Sequence, residues 1–142
     1  MEKRKIEGRI TQKMEQIREY LDFLESIVPN GFEEYKNDLK TKAACERYAE
    51  KIVEAVIDLA FFMVSYKNLQ QPTEEETIFA ILLKGKIISC KLAEKLNNAK
   101  GMRNFIVHKY GDVNDEIIFE AVSCELKKDI EEFLSSVSKE IK

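Results

Sequence analysis

Apolar residues stand at Ile6, Ile10, Met14, Ile17, Leu21, Leu24 and Val28, separated by steps of four and three. That spacing puts them on one face of a helix about six turns long and rules out a pleated strand, whose faces alternate every second residue. A helix with one apolar stripe gains most of its stability by covering that stripe, so the chain needs a second long helix. Pro29-Asn30-Gly31 closes the first one, because proline disfavours helical geometry in the residue before it and Asn-Gly tolerates positive φ. A short turn from Phe32 to Asn37 follows.

The covering pattern runs through Leu39, Ala43, Cys45, Tyr48, Ile52, Ala55, Val56, Leu59, Phe62, Met63 and Tyr66, and closes at Asn68-Leu69-Gln70-Gln71-Pro72. It is expected to pair antiparallel with the first helix. Thr73 with Glu76 three residues on has the form of a capping box, with Glu75 and Glu76 facing the positive dipole end of a third helix. Gly85, within Lys84-Gly85-Lys86, is expected to break that helix before a fourth from about Ile87. The fourth carries Ile88, Leu92 and Leu96 inward and Lys91 and Lys95 outward. It then meets the polar patch Asn97 to Gly101, which bends it or passes through, and ends at Gly111. Asn114, followed by Asp115 and Glu116, reads as the N-cap of a last helix through Ile118, Val122, Leu126, Ile130, Phe133, Val137 and Ile141. The expected fold is an all-α up-and-down helical bundle, three long helices plus shorter broken ones, forming a single domain over residues 1–142. Tyr20, Phe23, Phe61 and Phe62 are expected in the core or at an interface.

No apolar run approaches the roughly 20 residues of a membrane span, and the charged start Met1-Glu2-Lys3-Arg4-Lys5 lacks a signal-type apolar core, so a cytoplasmic protein away from membranes is expected. Cys45, Cys90 and Cys124 are odd in number, far apart and set in apolar helical patterns, which suits buried reduced thiols. One histidine and no paired cysteines leave too few soft ligands for a metal site, and neither a metal nor another cofactor is expected. A pI near 5.4 argues against a protein that coats nucleic acid.

Charge is nonetheless uneven. Between Lys84 and Tyr110 stand Lys84, Lys86, Lys91, Lys95, Lys100, Arg103 and Lys109 against the single acid Glu94, so this span carries +6 while the whole chain carries −3. A positive island on an acidic body draws in phosphate, and Lys95, Lys100 and Lys109 are its candidate RNA contacts. Within it lies the chain's one histidine, His108. At about 100° per residue, Arg103, Asn104 and His108 share an arc of about 140° on a helix. Arg103 offers a planar fork for two phosphate oxygens. His108 can exchange a proton near neutral pH, and Asn104 can orient the imidazole or bind substrate. These are parts suited to cleaving RNA without a metal: the ribose 2′-OH loses a proton, attacks phosphorus and expels the 5′-oxygen, leaving a 2′,3′-cyclic phosphate. One histidine does not easily serve as both base and acid in one step, so two copies facing each other across a two-fold axis are a natural arrangement, and a homodimer is expected. Spacing alone leaves open a structural histidine beside a solvated arginine.

Arg103-Asn104-x-x-x-His108-x-Tyr110, near the end of a penultimate helix, resembles the motif of the HEPN superfamily, and specifically of HepT-type toxins. The resemblance covers the whole chain in architecture and only this stretch in residues. It implies a cytoplasmic helical dimer that cleaves RNA, often tRNA, with Arg103 and His108 as the catalytic pair and Asn104 in support. It also implies a partner, a minimal nucleotidyltransferase antitoxin of the MntA type, which attaches AMP from ATP to Tyr110. Where the family often carries Asp, this chain has Asn114, which can still cap a helix. Two rival readings are a catalytically idle HEPN module that binds nucleotide or a protein partner, and a plain helical adaptor, which leaves the basic island unexplained.

Overall fold

The computed structural model describes residues 2–73, 76–108 and 114–141. The elements in chain order are α1 (Glu2–Ile27), α2 (Phe32–Asn37), α3 (Leu39–Tyr66), α4 (Ile78–Lys84), α5 (Cys90–His108), α6 (Asp115–Glu120), a π-helical segment (Ala121–Glu125) and α7 (Leu126–Glu140). The fold is an all-α bundle, and no strand occurs among the described residues.

The stripe at Ile10, Met14, Ile17, Leu21 and Leu24 is buried, and α3 covers it. The two helices run antiparallel: the Tyr66 hydroxyl donates to Glu7 at 2.7 Å, Lys13 meets Asp58 at 3.5 Å, and the Tyr20 and Phe23 rings meet Tyr48 at 5.9 and 4.5 Å. α5 and α7 close the other side, so Ile17, Ile52, Leu59, Met63, Leu92, Leu96, Ile130 and Phe133 share one core. Each such side chain contributes about 1.5–3 kcal/mol by leaving water. No polar or charged residue is buried among those described.

Several boundaries move for identifiable reasons. The cap of α4 is Thr77 rather than Thr73: the Thr77 hydroxyl oxygen accepts from the Ala80 N–H at 3.1 Å, while the Thr73 hydroxyl donates to Glu76 in the turn before the helix. Glu75 lies outside the described residues. α4 does end at Lys84-Gly85-Lys86, yet the left-handed residue is Lys86, at φ 63°, and Gly85 keeps a negative φ of −77°. α5 begins three residues later than Ile87, because the Ser89 hydroxyl oxygen accepts from the Leu92 N–H at 3.1 Å and acts as its cap. The patch Asn97 to Gly101 passes through α5 as unbroken helix. Phe32–Asn37 is a short helix rather than a turn. Asp38 caps α3; its bonds from the Thr41 hydroxyl and N–H hold its carboxyl below the usual carboxylate range.

Only Cys45 of the three cysteines is buried; Cys90 at the start of α5 and Cys124 in the π segment are exposed. Phe23 and Phe61 are 45% and 41% exposed and so do not belong to the core, whereas Tyr20 and Phe62 are half-buried. The last helix carries one π turn. Its apolar residues Ile118, Val122, Leu126 and Ile130 recur every fourth position, a spacing that drifts around an α-helix, and widening one turn keeps them facing the core. Lys42 meets Asp115 at 2.9 Å, and Phe119 packs on Phe32 and Tyr35 at 5.9 and 5.2 Å, so α2 and α3 anchor the start of α6 just beyond residues 109–113.

Candidate functional site

Arg103 sits on the last two turns of α5, where Ile106 packs inward and the neighbouring side chains are half-buried or exposed. Its guanidinium is held twice. Nη1 donates to Asn104 Oδ1 at 3.0 Å, and Nη2 donates to Glu54 Oε2 on α3 at 3.1 Å. The Arg103 and Glu54 side chains are 27% and 42% exposed, so the pair sits at the surface seam of α3 and α5. The Arg103 Nε is shut off from solvent with no acceptor, a cost of about 1–3 kcal/mol if left unmet. Only the terminal nitrogens have partners.

The spacing suits Asn104 to orienting the imidazole or binding substrate; in the structure its side-chain oxygen accepts from Arg103. His108 is exposed in the last turn of α5, one helical turn beyond Asn104 on the same side. Lys100 precedes Asn104 by one turn and shares that face. It makes no ion pair among the described residues. Lys95 is drawn elsewhere: it lies 3.6 Å from Asp129 and lines a cleft of about 460 Å³ between α5 and the π segment. Lys109 and Tyr110 lie outside the described residues, as does Gly111.

The basic island is therefore only partly bare. Lys84 pairs with Glu76, Lys95 with Asp129 and Arg103 with Glu54, while Lys86, Lys91 and Lys100 form no ion pair among the described residues. Glu54 is the residue that reading the motif alone overlooks. A signal for it exists in the sequence: an acid set between the core pairs Ile52-Val53 and Ala55-Val56, all four buried. Exposed apolar side chains stand on the same turns of α5, with Phe105 53% and Val107 39% exposed, and Phe61 on α3 is 41% exposed.

An arginine held rigidly by two acceptors, with a histidine on the same helix face, can bind a phosphodiester and move a proton beside it. Residues 17–137 match the family described as Ribonuclease HepT-like, so the chain belongs to that family of ribonucleases within the HEPN superfamily. It is similar to the tRNA nuclease HepT of Aphanizomenon flos-aquae, with 27% identity covering 84% of this chain and 81% of that protein. It is also similar to the mRNA nuclease HepT of Shewanella oneidensis, with 24% identity over 92% of this chain and 97% of the relative. Among solved structures it resembles the tri-AMPylated Shewanella oneidensis HEPN toxin in complex with an MNT antitoxin, at a TM-score of 0.84 and 24% identity, covering 92% of this chain and 96% of that one. Among the described residues no helix is long and apolar enough to cross a membrane.

Proposed function

We propose that this chain is the toxin of a toxin–antitoxin pair, a metal-independent endoribonuclease acting in the cytoplasm. The observation that carries this reading is the guanidinium of Arg103, fixed by Asn104 and Glu54 on the face of α5 that also bears His108. Arg103 binds the scissile phosphate and offsets the charge that builds on it in the transition state. His108 transfers the proton, taking it from the 2′-OH or giving it to the departing 5′-oxygen. Asn104 supports Arg103. Lys100, together with Lys95 and Lys109, holds the RNA backbone by charge.

Two subunits related by a two-fold axis would supply two histidines to one cleft, one for each proton. The exposed Phe105 and Val107 on the same turns of α5 support a covered surface there. Transfer RNA is the substrate to test first, since a nuclease of that name is among the similar proteins. The tri-AMPylated relative supports an antitoxin of the minimal nucleotidyltransferase type that silences the enzyme through Tyr110.

The test is incubation of purified protein with tRNA and with mRNA, alongside the His108→Ala variant. Loss of proton transfer lowers cleavage by about 10²–10⁴-fold. Equal cleavage by both proteins, or none by the parent, contradicts the reading.

A further inference from the structure

A guanidinium carries five N–H groups, and in this protein one of those on each terminal nitrogen is committed, Nη1 to Asn104 and Nη2 to Glu54. Each terminal nitrogen keeps one N–H for a substrate oxygen. Building on the ribonuclease reading above, we infer that Glu54 is a positioning residue of the reaction, holding the plane of Arg103 so that those two remaining N–H groups meet the phosphate together.

The location of Glu54 supports this. Its backbone belongs to a 28-residue helix pinned by Ile52, Val53, Ala55 and Val56, so the carboxylate is presented from rigid structure forty-nine positions away in the chain. Asn104 adjoins Arg103 on α5 and supplies one anchor, about which the guanidinium could still turn. A second anchor from a different helix removes that freedom, and rate falls steeply when a reacting contact is misplaced by about 1 Å. The buried Nε encloses the root of the group and leaves its terminal end to do the binding.

Stability gives Glu54 little reason to be there. A pair this exposed contributes little to folding. Binding gives it none, because a carboxylate beside the phosphate contact repels RNA. A group that weakens substrate binding and orients a transition-state contact leaves a specific kinetic mark: its removal should lower KM and kcat together.

The experiment measures kcat and KM for RNA cleavage by the parent, Glu54→Ala and Glu54→Gln proteins, with folding followed by circular dichroism. The alanine variant should lose about a hundredfold in kcat while KM also falls. The glutamine variant retains an oxygen that can accept from Nη2, and should recover most of the lost kcat, staying within about tenfold of the parent. Three results would overturn the inference: parental kcat in Glu54→Ala; a loss in Glu54→Ala matched by lost folded protein; or Glu54→Gln as slow as Glu54→Ala with the acid limb of the pH profile gone from both, which would make Glu54 a proton acceptor. A parent protein that cuts no RNA in the same assay would overturn the ribonuclease reading itself, and this inference with it.

Discussion

Arg103 on α5 and Glu54 on α3 meet at 3.1 Å, Nη2 to Oε2, and this contact ties the HepT-type motif to the longest helix of the bundle. The same guanidinium is bonded to Asn104 at 3.0 Å. A lysine at position 103 would keep the positive charge and lose the planar fork, so it could not satisfy both acceptors and still offer two donors to a phosphate. Arg103→Lys is therefore expected to fold as the parent does and to cleave RNA at least about tenfold more slowly. A steady-state cleavage assay decides this, and parental activity in the lysine variant would show that charge alone suffices.

Tyr110 follows His108 by two residues in the sequence, and each AMP attached there would bring a negative phosphodiester and a bulky base to the approach of the RNA. Incubation with ATP, magnesium and a minimal nucleotidyltransferase of the proposed antitoxin type should raise the intact mass by whole AMP units and stop cleavage without unfolding. The Tyr110→Phe protein should gain none. Equal gains in the two proteins would place the modification elsewhere.

The cysteines separate by burial. Burial, and then the nearby Glu46, push the Cys45 thiol up to about 11, whereas Cys90 and Cys124 are exposed. A thiol reagent at neutral pH should therefore label two cysteines quickly and Cys45 only after denaturation. The sign of the linkage follows. Between the ordinary thiol range and about 11 the folded chain holds the Cys45 proton that the unfolded chain gives up, so stability falls as pH rises through that window. Fast labelling of three cysteines in the folded protein would contradict the burial.

Much of this architecture can be read from the residues. Steps of three and four locate α1 and α3 closely, and Pro29-Asn30-Gly31 marks the turn that ends α1. Less legible are features decided by competition between similar local signals. Thr73 and Thr77 both offer caps, and the one beside the buried Ile78 and Phe79 prevails. The π turn is hidden in a four-residue repeat that reads as ordinary helix. Arg103, Asn104 and His108 are visible as a motif, but Asn104 facing Arg103 depends on side-chain geometry that spacing does not specify. Glu54 is harder still, since it reaches the site only through the packing of α3 on α5.

Asn114 illustrates a position where the departure from the family pattern leaves the fold intact. Its side-chain oxygen accepts from the N–H groups of Glu116 and Ile117 at 3.0 and 3.3 Å, starting α6. Asn114→Ala should cost about 0.5–2 kcal/mol, and Asn114→Asp should stay close to the parent because aspartate caps equally well and suits the helix dipole. Urea denaturation of the three proteins measures both. An alanine variant as stable as the parent would remove the cap from the account.

Cleavage by Arg103 and His108 through the 2′-OH, as proposed, fixes the chemistry of the products. The most direct measurement is the chemistry of the new RNA ends made in the presence of EDTA by the parent and by His108→Ala. The parent should give 2′,3′-cyclic phosphate and 5′-hydroxyl ends, undiminished by EDTA, and the variant should lose about 10²–10⁴-fold in rate. Ends bearing 5′-phosphate, cleavage that stops with EDTA, or a His108→Ala protein as active as the parent would contradict it.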